Sequence, residues 1–349
     1  MEKKVLVMTG GGTAGHVLPC LALLPFLKSF FTEIHFIGSN SGYEKKLVGD
    51  SAIYHGIDAV KLSRGGKNIL KAFGVPFKLA KAKRQAAALL RQIRPDAIFS
   101  KGGYVALPVV LAAKKHPHIF MHESDMTLGL ANRLSRRRCK YLFTSFDTIE
   151  SDDAIHTGAP IRQSIYYGSR EDAVKKYGLG ARRPCLLVVG GSSGAKAIND
   201  VVLGCLNELC ARFDVLHITG EKLATGTERA GYKAIGYTDK IEDCYALADF
   251  VLSRGGSGAL FELMALKKPT LIVPLPKGAS RGDQIDNAEY FCKRGAALVL
   301  KQEQMTAGSL LSSLDKLIAS KAALKDGMSS LGRIDGTRKI AQIIIDDCK

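Results

Sequence analysis

The first residues whose spacing could do chemistry are Gly10, Gly12 and Gly15, in the segment TGGGTAGHVLP that follows the apolar run VLVM. A G-x-G-x-x-G spacing after a strand is typical of dinucleotide sites, where an acid about 20 residues further on holds the ribose. Here Glu33 comes before the second predicted strand and Glu44 comes too late after it. The spacing alone therefore does not predict a nicotinamide or flavin cofactor.

His16 follows these glycines at the predicted start of a helix. Histidine titrates near neutral pH, so this side chain could take the proton of an attacking hydroxyl. A role limited to hydrogen bonding a phosphate or the loop stays open as the alternative. Glu123, in the segment HESD, is the second candidate base, and His122 beside it is a candidate for orienting the strand end.

Four predicted strand-to-helix turns are rich in glycine, at residues 10–15, 101–103 with Tyr104, 190–195 and 255–258. Each would place backbone N–H groups and a helix N-terminus at the carboxyl edge of a sheet, which suits phosphate. A single turn of this kind is explained by the preference of glycine for tight turns. Four of them in two halves of the chain favour a phosphorylated ligand, although none carries the G-K-[ST] of a P-loop.

The elements that must position these turns alternate along the chain, short apolar strand followed by helix. This alternation predicts an α/β protein with doubly wound parallel sheets. It pauses near the segment HTGAPIRQ, and 349 residues suit about two domains. We therefore expect an N-terminal domain over residues 1–160, a C-terminal domain over residues 161–333, and a last helix over residues 334–349 that packs back on the first domain.

The formal net charge of +17 requires an anionic partner, such as nucleic acid, a membrane face or a phosphorylated substrate. No helix-turn-helix, zinc-finger or aromatic RNA-binding signature is present, so nucleic acid is not expected. The eight cysteines form no C-x-x-C pair and no zinc spacing, which predicts buried reduced thiols and no metal. Without a signal-like or membrane-spanning apolar run, we expect a cytoplasmic protein.

One segment is both basic and apolar. Residues 59–95 contain ten lysines and arginines and no acidic residue, with apolar side chains between them. Such a face suits an anionic membrane surface, and a solvated run of charges is the alternative. Pro76 is expected to divide it into two short pieces. The predicted membrane face consists of Ile69, Leu70, Phe73, Phe77, Lys78, Lys81 and Arg84.

A set of motifs then occurs in order between Gly11 and Ala288: GGTAGHVLP, SKGGYVALPVVLAA, HESDMTLGLANR, GAPIR, GGSSGA, SRGGSGALFELMALKKPTLIVPLP and DQIDNA. Together they resemble the MurG family of bacterial glycosyltransferases. The resemblance implies a GT-B fold, two Rossmann-like domains with a cleft between them. It implies inverting transfer of N-acetylglucosamine from UDP-N-acetylglucosamine to the muramyl-pentapeptide carried on undecaprenyl diphosphate, with no cofactor.

The resemblance also implies site residues. Glu262 corresponds to the ribose-binding glutamate, Ser192 and Arg162 to diphosphate contacts, and Gln284 and Asn287 to the pair that holds sugar hydroxyls. The full implied donor set is Thr13, Ala14, Gly15, Asp125, Arg162, Ser192, Thr238, Ser257, Gly258, Ala259, Leu260, Phe261, Glu262, Gln284 and Asn287. The implied acceptor-diphosphate set is Gly12, Gly15, Gly102, Gly103 and Tyr104.

Two positions depart from the family pattern: Ala14 replaces a usual glycine, and Asp125 stands where asparagine is common. The sequence-based hypothesis is a peripheral enzyme on the cytoplasmic face of the bacterial membrane. Two alternatives stay open, a related synthase that glycosylates diacylglycerol, and a non-catalytic binder of nucleic acid or anionic lipid.

Overall fold

The computed structural model describes residues 3–40, 42, 44–61, 74–113, 116–191, 194–223, 229–278 and 282–349. The chain forms two compact units, one of Met1–Arg162 with Asp335–Lys349 and one of Gln163–Ile334. The boundaries fall two residues after the expected first boundary and one residue after the second. Arg162 therefore closes the first unit, whereas the sequence had placed it in the second domain.

The first unit is built on a parallel sheet of seven strands, in the order β3-β2-β1-β4-β5-β6-β7. The chain places β2 and β3 on one side of β1 and then returns to place β4 on the other side. The carboxyl ends of β1 and β4 consequently meet at a topological switch point. The strands are β1 (Val5–Thr9), β2 (Glu33–Ser39), β3 (Ile53–Ile57), β4 (Ala97–Ser100), β5 (Ile119–Glu123), β6 (Tyr141–Thr144) and β7 (Ala154–His156).

Helices cover both faces of this sheet, which explains why its central strands are apolar throughout. On one face Leu6, Met8 and Phe99 pack with α1 and the C-terminal helix, and on the other face Val7 and Ile98 pack with α3 and α4. The described helices are α1 (Leu18–Leu27), α2 (Glu44–Val48), α3 (Val75–Ile93), α4 (Ala106–Ala112), α5 (Leu130–Ser135) and the C-terminal helix (Thr337–Cys348).

Helix α3 changes one expectation in part. Pro76 lies in the first turn of this 19-residue helix, so the piece of the basic segment after Pro76 is long and not short. Most of the piece before Pro76 lies outside the described residues. A first-turn residue needs no intrahelical N–H bond, so proline starts the helix there instead of interrupting it. The helix ends at Arg94, whose φ of 53° is left-handed.

The C-terminal helix joins the core of the first unit through Ile340 and Ile344. His118 Nδ1 lies 2.7 Å from Asp347 Oδ2, and Lys140 pairs with the other oxygen of Asp347. The thiol of Cys348 lies near the side chains of His118 and Asp347. The ammonium beside this carboxylate opposes a cation there, so the cluster fastens the helix.

The second unit repeats the doubly wound plan with six parallel strands in the order β10-β9-β8-β11-β12-β13. Its switch point lies between β8 and β11. The strands are β8 (Cys185–Val189), β9 (Asp214–Ile218), β10 (Tyr232–Ile235), β11 (Phe250–Ser253), β12 (Thr270–Ile272) and β13 (Leu298–Val299). The described helices are α6 (Arg170–Tyr177), α7 (Lys196–Gly204), α8 (Leu206–Arg212), α9 (Ile241–Leu247), α10 (Ser257–Ala265), α11 (Asp283–Lys293), α12 (Ala307–Ala319) and α13 (Lys321–Ser329).

The predicted fold class, two doubly wound parallel-sheet domains, is thus confirmed. In the described part of the chain, no helix combines the length and the apolar character needed to cross a bilayer. All eight cysteines are free thiols; Cys292 is exposed and Cys139 is half-buried, while the other six are buried as expected.

Candidate active site

In the first unit, two glycine turns meet at the switch point, one after β1 and one after β4. A Cβ on Gly103 would lie 2.4 Å from the carbonyl oxygen of Gly11, so the two turns touch through backbone that only glycine allows. Gly103 also has a φ of 82° and Gly12 a φ of 92°, which L side chains rarely adopt. The glycines are therefore required by the packing of the turns themselves.

His16 ends a short 3₁₀ turn, Ala14–His16, directly after the first glycine turn. Its Nδ1 lies 2.9 Å from Thr13 Oγ1, and a Cβ on Gly103 would approach its ring carbon Cγ to 3.3 Å. The ring is thus held by a hydroxyl on one side and by glycine backbone on the other. With the proton on Nδ1, the Thr13 oxygen accepts it and Nε2 keeps the lone pair that a general base needs.

Glu44 lies at the same turn, although its position in the sequence did not predict this. Its side chain is 0% exposed, and its Oε1 accepts a 2.7 Å hydrogen bond from the N–H of Gly12. The ring of Tyr104 packs on the other side of Gly12, since a Cβ there would lie 2.6 Å from a ring carbon. Gly12 and Tyr104, both predicted acceptor contacts, are thus in van der Waals contact.

Glu123 ends β5, and its carboxylate is fully used as an anchor. Oε1 accepts from the N–H groups of Ser124 and Asp125 at 3.0 and 3.2 Å. Oε2 accepts from the N–H of Gly129 at 2.8 Å and from Asn132 Nδ2 at 2.9 Å. These four bonds fix the loop from 124 to 129 and leave little capacity for accepting a substrate proton, which weakens Glu123 as a base.

A buried lysine balances the charge of this anchor. Lys101, on the second glycine turn, is only 2% exposed. Burial raises the pKa of Glu123, and the nearby Lys101 ammonium opposes that rise. Burial likewise lowers the pKa of Lys101, opposed first by Glu123 and then by Asp125. Lys101 and Asn132 are site residues that the sequence did not single out. Both act on the buried carboxylate of Glu123, Lys101 through its charge and Asn132 through a hydrogen bond.

In the second unit, the turn at residues 190–195 follows β8 at the switch point. Ser192 and Ser193 lie outside the described residues. Gly194 has a φ of 73°, and a Cβ on it would lie 2.1 Å from the carbonyl oxygen of Thr219. Asn199 Nδ2 donates to that same oxygen at 3.0 Å. The turn therefore rests directly on the residue that follows β9.

A buried histidine, His217, contacts the Asn199 side chain that bonds to Thr219. His217 Nε2 lies 3.0 Å from Asn199 Oδ1, and its Nδ1 lies 3.0 Å from the hydroxyl of Tyr232. Burial lowers the pKa of His217 to about 4, so the ring is neutral at pH 7. Nothing in the spacing of the sequence pointed to this network, since Asn199, His217 and Tyr232 lie on three separate elements.

Helix α10 starts at the other side of the second switch point, after β11, with Ser257, Gly258 and Ala259. The side chains of Leu260 and Phe261 are buried in the core, so only their backbone can meet a ligand. Glu262 is half-buried, and its Oε2 accepts from the hydroxyl of Tyr245 at 3.3 Å.

Gln284 and Asn287, expected to hold sugar hydroxyls, brace the turn after β11. Gln284 Oε1 accepts from the N–H groups of Gly255 and Leu275 at 3.3 and 3.0 Å. Asn287 Nδ2 donates to the carbonyl oxygen of Gly255 at 3.2 Å, and its side chain is buried. Both amides therefore have a structural task beside any contact with a ligand.

The remaining predicted donor contacts lie at the ends of other elements. Thr238, two residues before Lys240, accepts from the Lys240 N–H at 3.1 Å, and Tyr237 beside it is 56% exposed. Arg162 and Asp125 belong to the first unit, as do Thr13, Ala14 and Gly15.

The predicted membrane face is described only from α3 onward, since Ile69, Leu70 and Phe73 lie outside the described residues. Phe77 is 79% exposed, and Lys78 and Arg84 are also exposed on this helix. Lys81 differs from them, because its Nζ lies 2.9 Å from Asp58 Oδ2 and its charge is partly neutralised.

Two family models match this chain. The profile of the glycosyltransferase family 28 N-terminal domain matches residues 6–144, and that of the glycosyltransferase family 28 C-terminal domain matches residues 185–343.

Two curated relatives carry the name UDP-N-acetylglucosamine–N-acetylmuramyl-(pentapeptide) pyrophosphoryl-undecaprenol N-acetylglucosamine transferase. The protein of Clostridium kluyveri is 43% identical, covering 98% of this chain and 99% of its own length. That of Lachnospira eligens is 41% identical, covering 99% of this chain and all of its own length (100%).

Among solved structures, MurG of Acinetobacter baumannii superposes with a TM-score of 0.74 at 24% identity over 99% of both chains. The calicheamicin glycosyltransferase CalG4 gives a TM-score of 0.73 at 14% identity, over 99% of this chain and 98% of its own. At these identities the superpositions establish the shared fold.

Proposed function

The chain belongs to glycosyltransferase family 28, and from this premise we infer that it transfers N-acetylglucosamine from UDP-N-acetylglucosamine to the undecaprenyl-diphosphate-linked N-acetylmuramyl-pentapeptide of peptidoglycan synthesis. The observation that carries this conclusion is the similarity to the Clostridium kluyveri relative, whose name states this transfer. The two chains are 43% identical over nearly their full lengths. It is a hexosyltransferase, with the family's two domain profiles matching its two halves in order.

The reaction exchanges one C–O bond at the anomeric carbon for another and moves one proton. A hydroxyl oxygen of the muramyl sugar attacks the anomeric carbon of N-acetylglucosamine, the bond from that carbon to the UDP oxygen breaks, and the hydroxyl proton goes to a base. UDP leaves with the electron pair, and attack from the opposite face inverts the anomeric carbon. The protein must therefore supply a base, donors for the departing diphosphate, and contacts that orient the two sugars.

His16 is the base in this proposal. What supports it is the Thr13 hydroxyl 2.9 Å from Nδ1, which orients the imidazole at the first glycine turn. Glu123 is the weaker candidate, because four hydrogen bonds already saturate its two oxygens. The Glu123 carboxylate instead holds the loop that carries Asp125.

The donor is assigned mainly to the second unit. The two turns at its switch point, after β8 and after β11, lie where doubly wound sheets bind their ligands. Glu262 accepts hydrogen bonds from the ribose hydroxyls. The diphosphate is assigned to the N-terminus of α10 and to the turn at residues 190–195. Thr238 lies against the uracil, while Gln284 and Asn287 hold the turn at Gly255 against the donor sugar.

Association with the membrane is proposed for the first unit. The exposed Phe77 beside Lys78 and Arg84 offers an apolar side chain among cations, the combination that binds an anionic leaflet. The acceptor is a lipid, so the enzyme must work at the surface that holds it. We place it as a peripheral protein on the cytoplasmic face, where UDP-sugars are available.

A transfer assay tests the function directly. Radiolabelled UDP-N-acetylglucosamine is offered in parallel to the muramyl-pentapeptide lipid and to diacylglycerol. Labelling of the muramyl lipid alone is the expected result. Labelling of diacylglycerol would identify a glycolipid synthase instead, and labelling of neither with intact nucleotide binding would contradict the proposal.

A further inference from the structure

The first glycine turn already holds an anion that belongs to the chain itself. The N–H of Gly12 donates to Glu44 Oε1 at 2.7 Å, and the Glu44 side chain is completely buried. In a dinucleotide-binding turn of this spacing, the corresponding backbone N–H groups and the following helix start bind a diphosphate. A carboxylate is the side-chain group that most closely imitates a phosphate oxygen as an acceptor from backbone N–H.

The surrounding backbone is shaped to admit this carboxylate. A Cβ on Gly11 would lie 2.6 Å from Glu44 Oε1, and a Cβ on Gly42 would lie 1.3 Å from Oε2. Both positions must therefore be glycine for the side chain to reach the turn. The contact is not a chance surface pairing, since two glycines from different segments make room for it.

The turn in the corresponding place of the second unit differs. There the N–H of Gly194 bonds to Gly191 O within the turn. Over the described part of that turn, no carboxylate accepts a hydrogen bond from its backbone N–H groups. The turns after β1 and after β8 hold corresponding places in the two units, and within their described residues a resident carboxylate is seen at the turn after β1.

We propose that Glu44 is a specificity-determining residue that keeps nucleotide diphosphates out of the first unit. Its carboxylate occupies the N–H of Gly12 and adds a negative charge where a phosphate would have to come, which like-charge repulsion makes unfavourable. UDP-N-acetylglucosamine is then directed to the turn after β8. This inference rests on the proposed function only for the identity of that nucleotide.

Two of the expected acceptor contacts, Gly12 and Gly102, have N–H groups that already donate within the protein. Gly12 cannot give its N–H to the acceptor diphosphate while Glu44 holds it, and the N–H of Gly102 is directed at Ser100 Oγ, 3.3 Å away. Gly12 and Gly102 therefore act by allowing the turns to pack. The acceptor's charge must be met by other groups of this unit.

Calorimetric titration with UDP tests the proposal on the full chain without requiring transfer activity. The unmodified protein is expected to bind one equivalent, at the donor turn. The Glu44→Ala variant, which frees the N–H of Gly12 and removes the charge, is expected to bind a second equivalent, about tenfold or more tighter than any second binding to the unmodified protein. Glu33→Gln is the matched control, because it removes one carboxylate from the opposite end of β2 and should leave one equivalent.

A second variant covers the case in which Glu44→Ala does not fold. Glu44→Gln keeps an oxygen for the Gly12 N–H but removes the charge, and it should show weaker second-site binding than Glu44→Ala. A folded Glu44 variant that still binds a single equivalent would overturn the proposal. Failure of the unmodified protein to transfer sugar would instead count against the proposed function alone.

Discussion

The role proposed for His16 depends on contacts that its residue type alone does not give. The sequence placed it after the first glycine turn, but both a base and a simple hydrogen-bonding role stayed open. The structure supplies the Thr13 hydroxyl at Nδ1 and the bare backbone of Gly103 beneath the ring. These contacts fix the orientation of the imidazole, which is what a general base requires.

Replacing His16 with alanine is expected to lower kcat by about a hundredfold or more, because general-base catalysis contributes that much or more. The KM for UDP-N-acetylglucosamine should change little. Steady-state kinetics with both substrates measure the two effects. His116→Gln is the control, since that histidine hydrogen bonds Pro95 O before the strand β4 begins. Near-normal turnover in His16→Ala would remove His16 as the base.

Glu262 is the residue on which donor binding is expected to depend. Hydrogen bonds from hydroxyls to a carboxylate are worth about 1.5–3 kcal/mol, so Glu262→Ala should raise the donor KM or the Kd for UDP roughly tenfold to a hundredfold. Tyr245→Phe is the matched control, because it removes only the hydroxyl 3.3 Å from Oε2. Equal donor affinity in Glu262→Ala and the unmodified protein would exclude the ribose contact.

At the scale of the elements, the two switch points bring together motifs that are far apart in the chain. The turn after β1 meets the turn after β4, and the turn after β8 lies beside the turn after β11. A polar side chain from a neighbouring helix contacts each pair: Asn132 on α5 packs against Gly102, and Gln284 on α11 accepts from the N–H of Gly255. Predictions at this scale concern how those elements stay in place.

The His217 network should make stability depend on pH. Burial lowers the pKa of His217 from its usual 6.5 to about 4, so the unfolded chain binds a proton more readily than the folded chain. Its contribution to stability is present above about pH 6.5 and is lost as the pH falls towards about 4, amounting to about 3 kcal/mol. Urea unfolding at pH 7 and pH 4 should show this loss, and His217→Gln should lack it. A pH dependence identical in both proteins would refute the assignment.

Helix α3 is expected to carry the membrane contact. Reversing two exposed charges with Lys78→Glu and Arg84→Glu should weaken binding to phosphatidylglycerol vesicles at low salt by about 2 kcal/mol or more, roughly thirtyfold. Sedimentation with vesicles measures it. The matched control reverses Lys175 and Lys176 on α6 of the second unit. Unchanged binding of the α3 double variant would place the membrane face elsewhere.

At the scale of the whole molecule, the chain forms the first unit, then the second, and returns to complete the first. The returning helix contributes Ile340 and Ile344 to the same core as Leu6 and Met8. It also carries Asp347, which pairs with His118 and Lys140. The first unit is therefore incomplete until the last residues of the chain are in place.

Ile344→Ala tests this dependence. Truncating a fully buried isoleucine costs about 2–5 kcal/mol, so the stability of the first unit should fall by about that amount. Scanning calorimetry measures the loss, and UDP binding by the second unit should persist. Gln342→Ala, on the exposed side of the same helix, should change stability little. If both variants behaved alike, the helix would not be part of the core.

The sequence determined what local patterns can encode. Apolar strands alternating with helices gave the parallel-sheet class, and the ordered motifs gave the family, because both depend on residues near one another in the chain. The piece after Pro76 was expected to be short, because the residues alone did not show that the proline starts a 19-residue helix. Residues 192–193 and most of the basic segment before α3 remain sequence-based expectations.

Only the tertiary structure decided which distant side chains meet. Glu44 lies 32 residues after Gly12, and its carboxylate reaches that N–H because β2 runs beside β1 and returns the chain to the same edge. Glu123 was a candidate base from its sequence, but three N–H groups of the loop after it and Asn132 of α5 donate to its carboxylate. Gln284 and Asn287, expected to contact sugar hydroxyls, also bond to Gly255. The sequence determines which chemical groups the side chains carry. The order of the strands in each sheet determines which of these groups meet, and the spacing of residues in the sequence does not predict that order.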